Sequence, residues 1–167
     1  MVSFIPEKPT SPVLDVPYFE DSQEKKVMGY GVKRSVESLQ KSIYDLLMRL
    51  SAGAIHFTPG QYPGATKRYG FQIHFKVNGM PGRIDCAALP MRIENPKKKD
   101  RTLAQALYIV EMWLQAEVNS MIYRPGAITL LPYLIGVGGK TVTEALMEQQ
   151  VLPDLAGYYL PDGNHHG

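Results

Sequence analysis

Residues 69–90 read "YGFQIHFKVNGMPGRIDCAALP", and this stretch decides the fold. In its first half Phe71, Ile73, Phe75 and Val77 alternate with Gln72, His74 and Lys76. A period of two is the signature of a strand with one buried and one wet face. Asn78-Gly79 marks a hairpin turn, because the tightest hairpins need residues that tolerate positive φ. The return, "GRIDCAALP", alternates Ile84, Cys86 and Ala88 with Arg83, Asp85 and Ala87. The pattern predicts an antiparallel pair whose open face exposes Gln72, His74, Lys76, Arg83 and Asp85.

On the N-terminal side, "PGQYPGATKR" (59–68) is rich in Gly and Pro and reads as an exposed, mobile loop. Before it, "AIHFT" (54–58) reads as a short strand. A helix precedes that strand: Ser35 serves as N-cap, Leu39, Ile43, Leu46, Leu47 and Leu50 share one face, and Gly53 stops it. Residues 1–32 carry Pro6, Pro9, Pro12 and Pro17 with little periodicity, so they form an extended arm. Its apolar residues, Phe4, Ile5, Val13, Leu14, Tyr18 and Phe19, suit docking on the domain or on a partner.

On the C-terminal side, "MRIENPKKKDR" (91–101) reads as a linker. A long helix follows from Thr102 to Tyr123, with Leu103, Leu107, Val110, Leu114 and Val118 in a stripe and Trp113 beside it. Arg124-Pro125-Gly126 breaks it. "AITLLPYLIG" is a short helix or turn, Thr141 caps a last helix with Glu144 completing a capping box, and residues 151–167 form an irregular tail. The order is helix, three-stranded antiparallel sheet, long helix, short C-terminal helices. This is an α+β fold, one domain over residues 33–150 behind the arm. Double-stranded-RNA-binding domains share this element order, an analogy of order alone.

The chain of 167 residues, 44% hydrophobic, is the size of one ordinary domain. Its single cysteine excludes a disulfide framework and a cysteine-based zinc site, which fits a reducing compartment. No apolar run approaches a bilayer span, and the N-terminus lacks the basic and apolar regions of a signal peptide. The expectation is a soluble, cytoplasmic protein. Its net charge of +2 is unevenly spread: residues 1–24 carry −4, residues 25–101 carry +10, and residues 102–167 carry −4. A basic middle is what a polyanion-facing surface needs. Solvated Lys and Arg serving solubility give the same count.

Several features match a known group of proteins. These are "SAGA" after the first helix, the hairpin "GFQIHFKVNGMPGRIDCAALP" ending in Pro, the helix "ALYIVEMWLQAEVNSM", and the closing "LLPYLIGVGGKTVTEAL". Over roughly residues 36–147 the chain resembles a family of small uncharacterised proteins encoded by phages and prophages. That family carries an apolar-Lys-Ala-Leu-Glu helix in the third place and an "FLP…G-T-V-E" segment in the fourth. The resemblance implies an origin in a mobile element and transfers no activity.

Candidate chemistry is sparse. "LIGVGGKT" (134–141) ends like a nucleotide-binding loop, but that loop needs a glycine five positions before Gly139, where Leu134 stands. Pro132-Tyr133 is poor material for the buried strand that must precede it. A nuclease needs clustered carboxylates, and Asp85 has no second acid or Lys in "DCAALP". His74 and Asp85 facing each other across the hairpin would make a general-base pair, although such pairing is more often structural. Cys86 points to the buried face as an inert thiol. His56 and His74 lack partners at metal-ligand spacing, and His165 and His166 near the end read as solvent-exposed. No enzyme, cofactor or metal is expected.

Nucleic-acid binding asks for less: cations with aromatics on which bases stack. Tyr62, Lys67, Arg68 and Tyr69 at the loop, Lys76 and Arg83 on the open face, and Lys97, Lys98, Lys99 and Arg101 ahead of the long helix would form one patch around the hairpin. The expected function is that of an accessory protein binding nucleic acid, single-stranded by preference. The alternative is an interaction module that inhibits a host defence enzyme through its hydrophobic arm.

Overall fold

A computed structural model describes residues 15–126, 129–136 and 138–148; the expected tail at 151–167 with His165 and His166, and Phe4, Ile5, Val13 and Leu14 of the expected arm, lie outside them. The fold is α+β: helix α1 (Val36–Arg49), strands β1 (Ala52–Tyr62), β2 (Arg68–Val77) and β3 (Met80–Ala87), helix α2 (Pro96–Ser120) and a short α3 (Val142–Glu148). The sheet is antiparallel in the order β1-β2-β3. Single-turn 3-10 helices lie at Phe19–Asp21 and Leu131–Tyr133.

The β2–β3 turn follows from its two residues. Asn78 and Gly79 hold φ of 49° and 77°, the mirror-image turn whose twist matches that of the strands. This fixes Val77 opposite Met80, and hence Ile73 opposite Ile84 and Phe71 opposite Cys86. Phe71, Ile73, Phe75, Ile84, Cys86 and Ala88 are buried on the face that the pattern assigned to the core. Leu39, Ile43, Leu46 and Leu47 of α1 and Leu103, Leu107 and Leu114 of α2 belong to the same cluster. Phe75 is paired with Gly82, where a Cβ would stand 2.3 Å from the Phe75 ring, so the glycine makes room for the largest core side chain.

Four boundaries differ from expectation, each for a physical reason. Residues 59–62 of the expected loop are strand: Pro59 pairs with Phe71 and Tyr62 with Arg68. Proline is tolerated there because β1 is an edge strand. A bulge between Gly53 and His56, with Ala54 at φ 49°, starts β1 earlier than "AIHFT". Helix α1 ends at Arg49 with Leu50 as its C-cap, and Ser51 takes the left-handed position at φ 65° that was expected of Gly53. Helix α2 begins at Pro96, with the Asn95 side chain accepting from the Lys98 N–H at 2.8 Å. Its first turns carry no apolar residue, so periodicity became visible only from Thr102.

The "LIGVGGKT" segment is a clasp on the sheet. Leu134 bridges Gly82, the Ile135 N–H donates to the Pro81 carbonyl at 2.8 Å, and Ile135 bridges Thr141. The Thr141 hydroxyl then caps α3 by accepting from the Glu144 N–H at 3.2 Å. Lys140 pairs with Glu148.

Gly70 lies under the Tyr62 ring. A Cβ on it would sit 2.1 Å from the Cys86 carbonyl oxygen and 2.6 Å from that ring. Gly70→Ala is therefore expected to cost about 3 kcal/mol or more. Gly60, across the ladder, has nothing within 4 Å of a Cβ, and Gly60→Ala should stay within about 0.5 kcal/mol. Urea titration of the two variants reads the difference, and equal losses would contradict this packing.

Candidate nucleic-acid interface

Most of the hairpin's polar side chains have internal partners. The Tyr62 hydroxyl accepts the Cys86 N–H at 3.2 Å and lies 2.8 Å from the Phe71 carbonyl and 3.1 Å from Asp85. Burial, then the Asp85 charge, pushes its pKa upward. Arg68 donates to the Ala88 and Ala87 carbonyls at 2.8 and 3.0 Å, tying down the end of β3. Arg83 pairs with Asp85 at 3.0 Å and with Glu144 of α3. Asp85 also accepts from Gln72 at 3.1 Å, while His74 stands across from Arg83 and stacks on His56 with centroids 4.9 Å apart. The general-base geometry of His74 with Asp85 is thus replaced by a stacked imidazole pair. Burial, then the charges of His56 and Arg83, lowers the His74 pKa. Lys76 is exposed at the hairpin tip.

A second group joins the β1–β2 connection to the segment before α2. Lys67 pairs with Glu94 at 3.0 Å, and the Tyr69 hydroxyl donates to Glu94 at 2.9 Å. The Tyr69 ring carries Lys67 at 4.8 Å and Lys99 at 4.4 Å from its centroid.

The third group lies at the start of α2, where the arm crosses it. Phe19 is buried, its N–H donates to the Pro90 carbonyl at 2.8 Å, and Arg101 stacks on its ring at 5.5 Å. The Glu20 carboxylate accepts the Arg92 and Ile93 N–H groups and the Lys98 ammonium, at 3.1, 3.3 and 3.2 Å. Asp21 pairs with Arg92. Lys98 is therefore occupied, whereas Lys97 has no ion-pair partner among the described residues. Beyond Phe19 the arm passes Tyr30 and reaches Ser35. Lys33, Arg34, Lys97 and Arg101 line a cleft of about 700 Å³ together with Tyr30, Glu37 and Asp100. Arg34 is braced from behind by Glu111 at 2.6 Å, a carboxylate 8% exposed.

The structure thus divides the ten expected residues. Tyr62, Arg68 and Arg83 hold the sheet, Lys67, Tyr69 and Lys99 form the knot at Glu94, Lys98 holds the arm, and Lys76 stands apart. Lys97 and Arg101 join Lys33, Arg34 and Tyr30, which the sequence reading left out because they sit in or beside the aperiodic arm. The cations of "GYGVKRS" directly before the Ser35 cap were the available signal.

No family model, curated protein or solved structure matches the chain. Among the described residues no group of three His, Cys, Asp or Glu side chains is placed to share a metal ion, and no helix is long and apolar enough to cross a membrane. Burial pushes the Cys86 thiol up to about 12, so it stays protonated at neutral pH.

Glu20 makes the arm's attachment dependent on pH. Burial raises its pKa, but the Arg92 and Ile93 N–H groups and Lys98 outweigh it and lower the value from 4.5 to about 2. Its stabilisation is complete above pH 4.5 and is lost as pH falls towards about 2. Glu20→Gln should lower the melting temperature at pH 7 by a few degrees, as loss of a charge-assisted hydrogen-bond set does. Between pH 5 and pH 2 the wild-type and variant melting temperatures should converge. Parallel curves would show that Glu20 does not hold the arm.

Proposed function

We propose that this is a small, non-enzymatic accessory protein of a phage or mobile element that binds single-stranded nucleic acid through the basic surface at the start of α2. One observation carries the reading. The first turn of α2 is Pro96-Lys97-Lys98-Lys99, with no acid in it. A helix N-terminus favours carboxylates, and each misplaced charge costs roughly 0.3–1 kcal/mol. Helix α1 follows the ordinary rule, with Glu37 in its first turn and Arg49 in its last. Of the three lysines only Lys98 has an ion pair within the described residues. Cations held where the helix disfavours them suit an external anion. The concave setting of Lys97 beside the exposed Tyr30 suits an unpaired strand better than a duplex. The mobile-element part rests on the family resemblance over roughly residues 36–147.

The alternative, a protein-interaction module, draws on a different surface. The described part of the arm lies against its own domain, but Ile122 and Tyr123 at the end of α2 are 77% and 83% exposed. Docking there would be insensitive to salt.

Titration with single- and double-stranded oligonucleotides at low and moderate salt tests the proposal. Single strands should bind more tightly. Reversing Lys97, Lys99 and Arg101 to Glu should weaken binding to all sequences alike and flatten the slope of log K on log salt by about 2. Lys76→Glu at the hairpin tip should change neither by much. No binding of either strand form at micromolar protein and low salt would sink the reading and leave the interaction module.

A further inference from the structure

Helix α2 presents one stripe to the arm: Lys97, Arg101, Ala104, Tyr108 and Met112 recur at helical spacing over about 22 Å. Two hollows lie along it. The cationic cleft occupies the N-terminal end. A second hollow of about 420 Å³ is walled by Tyr108 and Met112 of the helix and by Met28 and Tyr30 of the arm. The segment from Tyr30 to Arg34 lines both hollows, so the two share one wall. The arm reaches the helix closely because Gly29 adopts φ +89° and a Cβ there would stand 3.2 Å from Gln105 and 3.3 Å from Tyr108. Tyr30 is 45% exposed, and Met28 and Met112 are also open to solvent.

A cationic hollow and an apolar aromatic hollow across one thin wall match a ligand whose charge and flat ring are separated by a short polar spacer. A nucleotide within a strand has that form: phosphate, sugar, base. Resting on the reading above, we infer that the groove takes a single nucleotide of the bound strand. Its phosphate lies against Lys33, Lys97 and Arg101, and its unstacked base enters the hollow between Tyr30 and Met112. Tyr30 supplies the π-face and the methionines supply adaptable apolar contact, so recognition is of a base as such and not of a sequence. Asp100 and Glu37 limit the cleft to the charge of one or two phosphates, and removing the Asp100 carboxylate strengthens binding.

The experiment compares pentathymidylate with an abasic pentamer of equal charge on the full-length protein. The wild type should prefer the base-bearing oligomer roughly tenfold. Tyr30→Ala should erase that preference, and Met112→Ala should reduce it, whereas Lys97→Ala should weaken both oligomers equally. Asp100→Asn should tighten both. Melting temperatures check that each variant is folded, and Met112 tests the opposite wall should Tyr30→Ala fail that check. Equal binding of the two oligomers by the wild type, or a preference that survives Tyr30→Ala and Met112→Ala, overturns the base pocket while leaving the cationic surface in place. Binding of neither oligomer removes both. A pentaglutamate that competes as well as pentathymidylate overturns the inference in favour of an acidic peptide.

Discussion

Everything in this fold is arranged around strand β2, which is hydrogen-bonded on both edges and buried on one face. Phe71, Ile73 and Phe75 project from it into the core, and each such side chain contributes roughly 1.5–3 kcal/mol when fully buried. A three-stranded sheet has one apolar face and no second sheet to cover it, so α1 and α2 must lie on the same side. That leaves the other face to polar side chains and to the Tyr62 ring. It also places the N-terminal ends of α1 and α2 along one cleft, since Ser35–Glu37 and Lys97, Asp100, Arg101 and Ala104 line it together.

The charges are then sorted by what the fold brings to them. Arg83 meets Glu144 from 61 positions away, and Lys98 meets Glu20 from 78 positions away. A half-exposed pair of this kind contributes only modestly by itself, on the order of 1 kcal/mol. Its larger effect is subtractive, because it removes a cation from the inventory available to an external anion. What remains at the cleft, Lys33, Lys97 and Arg101 without ion pairs among the described residues beside an Arg34 braced by Glu111, is smaller and more local than a +10 segment suggests. Local rules are also broken in this place: cations crowd a helix N-terminus, and the buried Gln105 Oε1 beneath the arm has no donor among the described residues, at a cost of roughly 1–3 kcal/mol. Proteins tend to accept such violations at functional sites.

The hairpin was legible because its pattern and its burial coincide residue by residue, and Asn78-Gly79 leaves few alternative registers. The extension of β1 was not, since Pro59 and Gly60 are strand residues only by virtue of an edge position that a neighbouring strand creates. The start of α2 was hidden for the opposite reason: Lys97 to Arg101 face solvent, the arm or the Tyr69 ring, and no apolar periodicity marks them as helix. At the candidate site, the presence of cations was readable but their availability was not. Availability depends on Glu20, Glu94 and Glu144, whose positions follow from tertiary structure. Tyr30 and Lys33 lie where no periodicity draws attention to them.

The arm is therefore part of the domain's chemistry as well as of its packing. The Phe19 N–H is bonded to the Pro90 carbonyl, Glu20 ties the arm to Lys98 of α2, and further along the arm Tyr30 and Met112 line one hollow. On the proposed reading, the anchor and the groove would be coupled in both directions. A ligand that bridges Tyr30 to the α2 stripe adds its binding energy to the hold of Glu20, and loss of Glu20 lowers the ligand's affinity by the cost of ordering the arm. Because the Glu20 contacts are charge-assisted and lie at the protein surface, that coupling weakens with salt alongside the phosphate contacts themselves. If the protein binds nucleic acid as proposed, part of the salt dependence of that binding would originate inside the protein, between Glu20 and Lys98, and only the remainder at the nucleic acid.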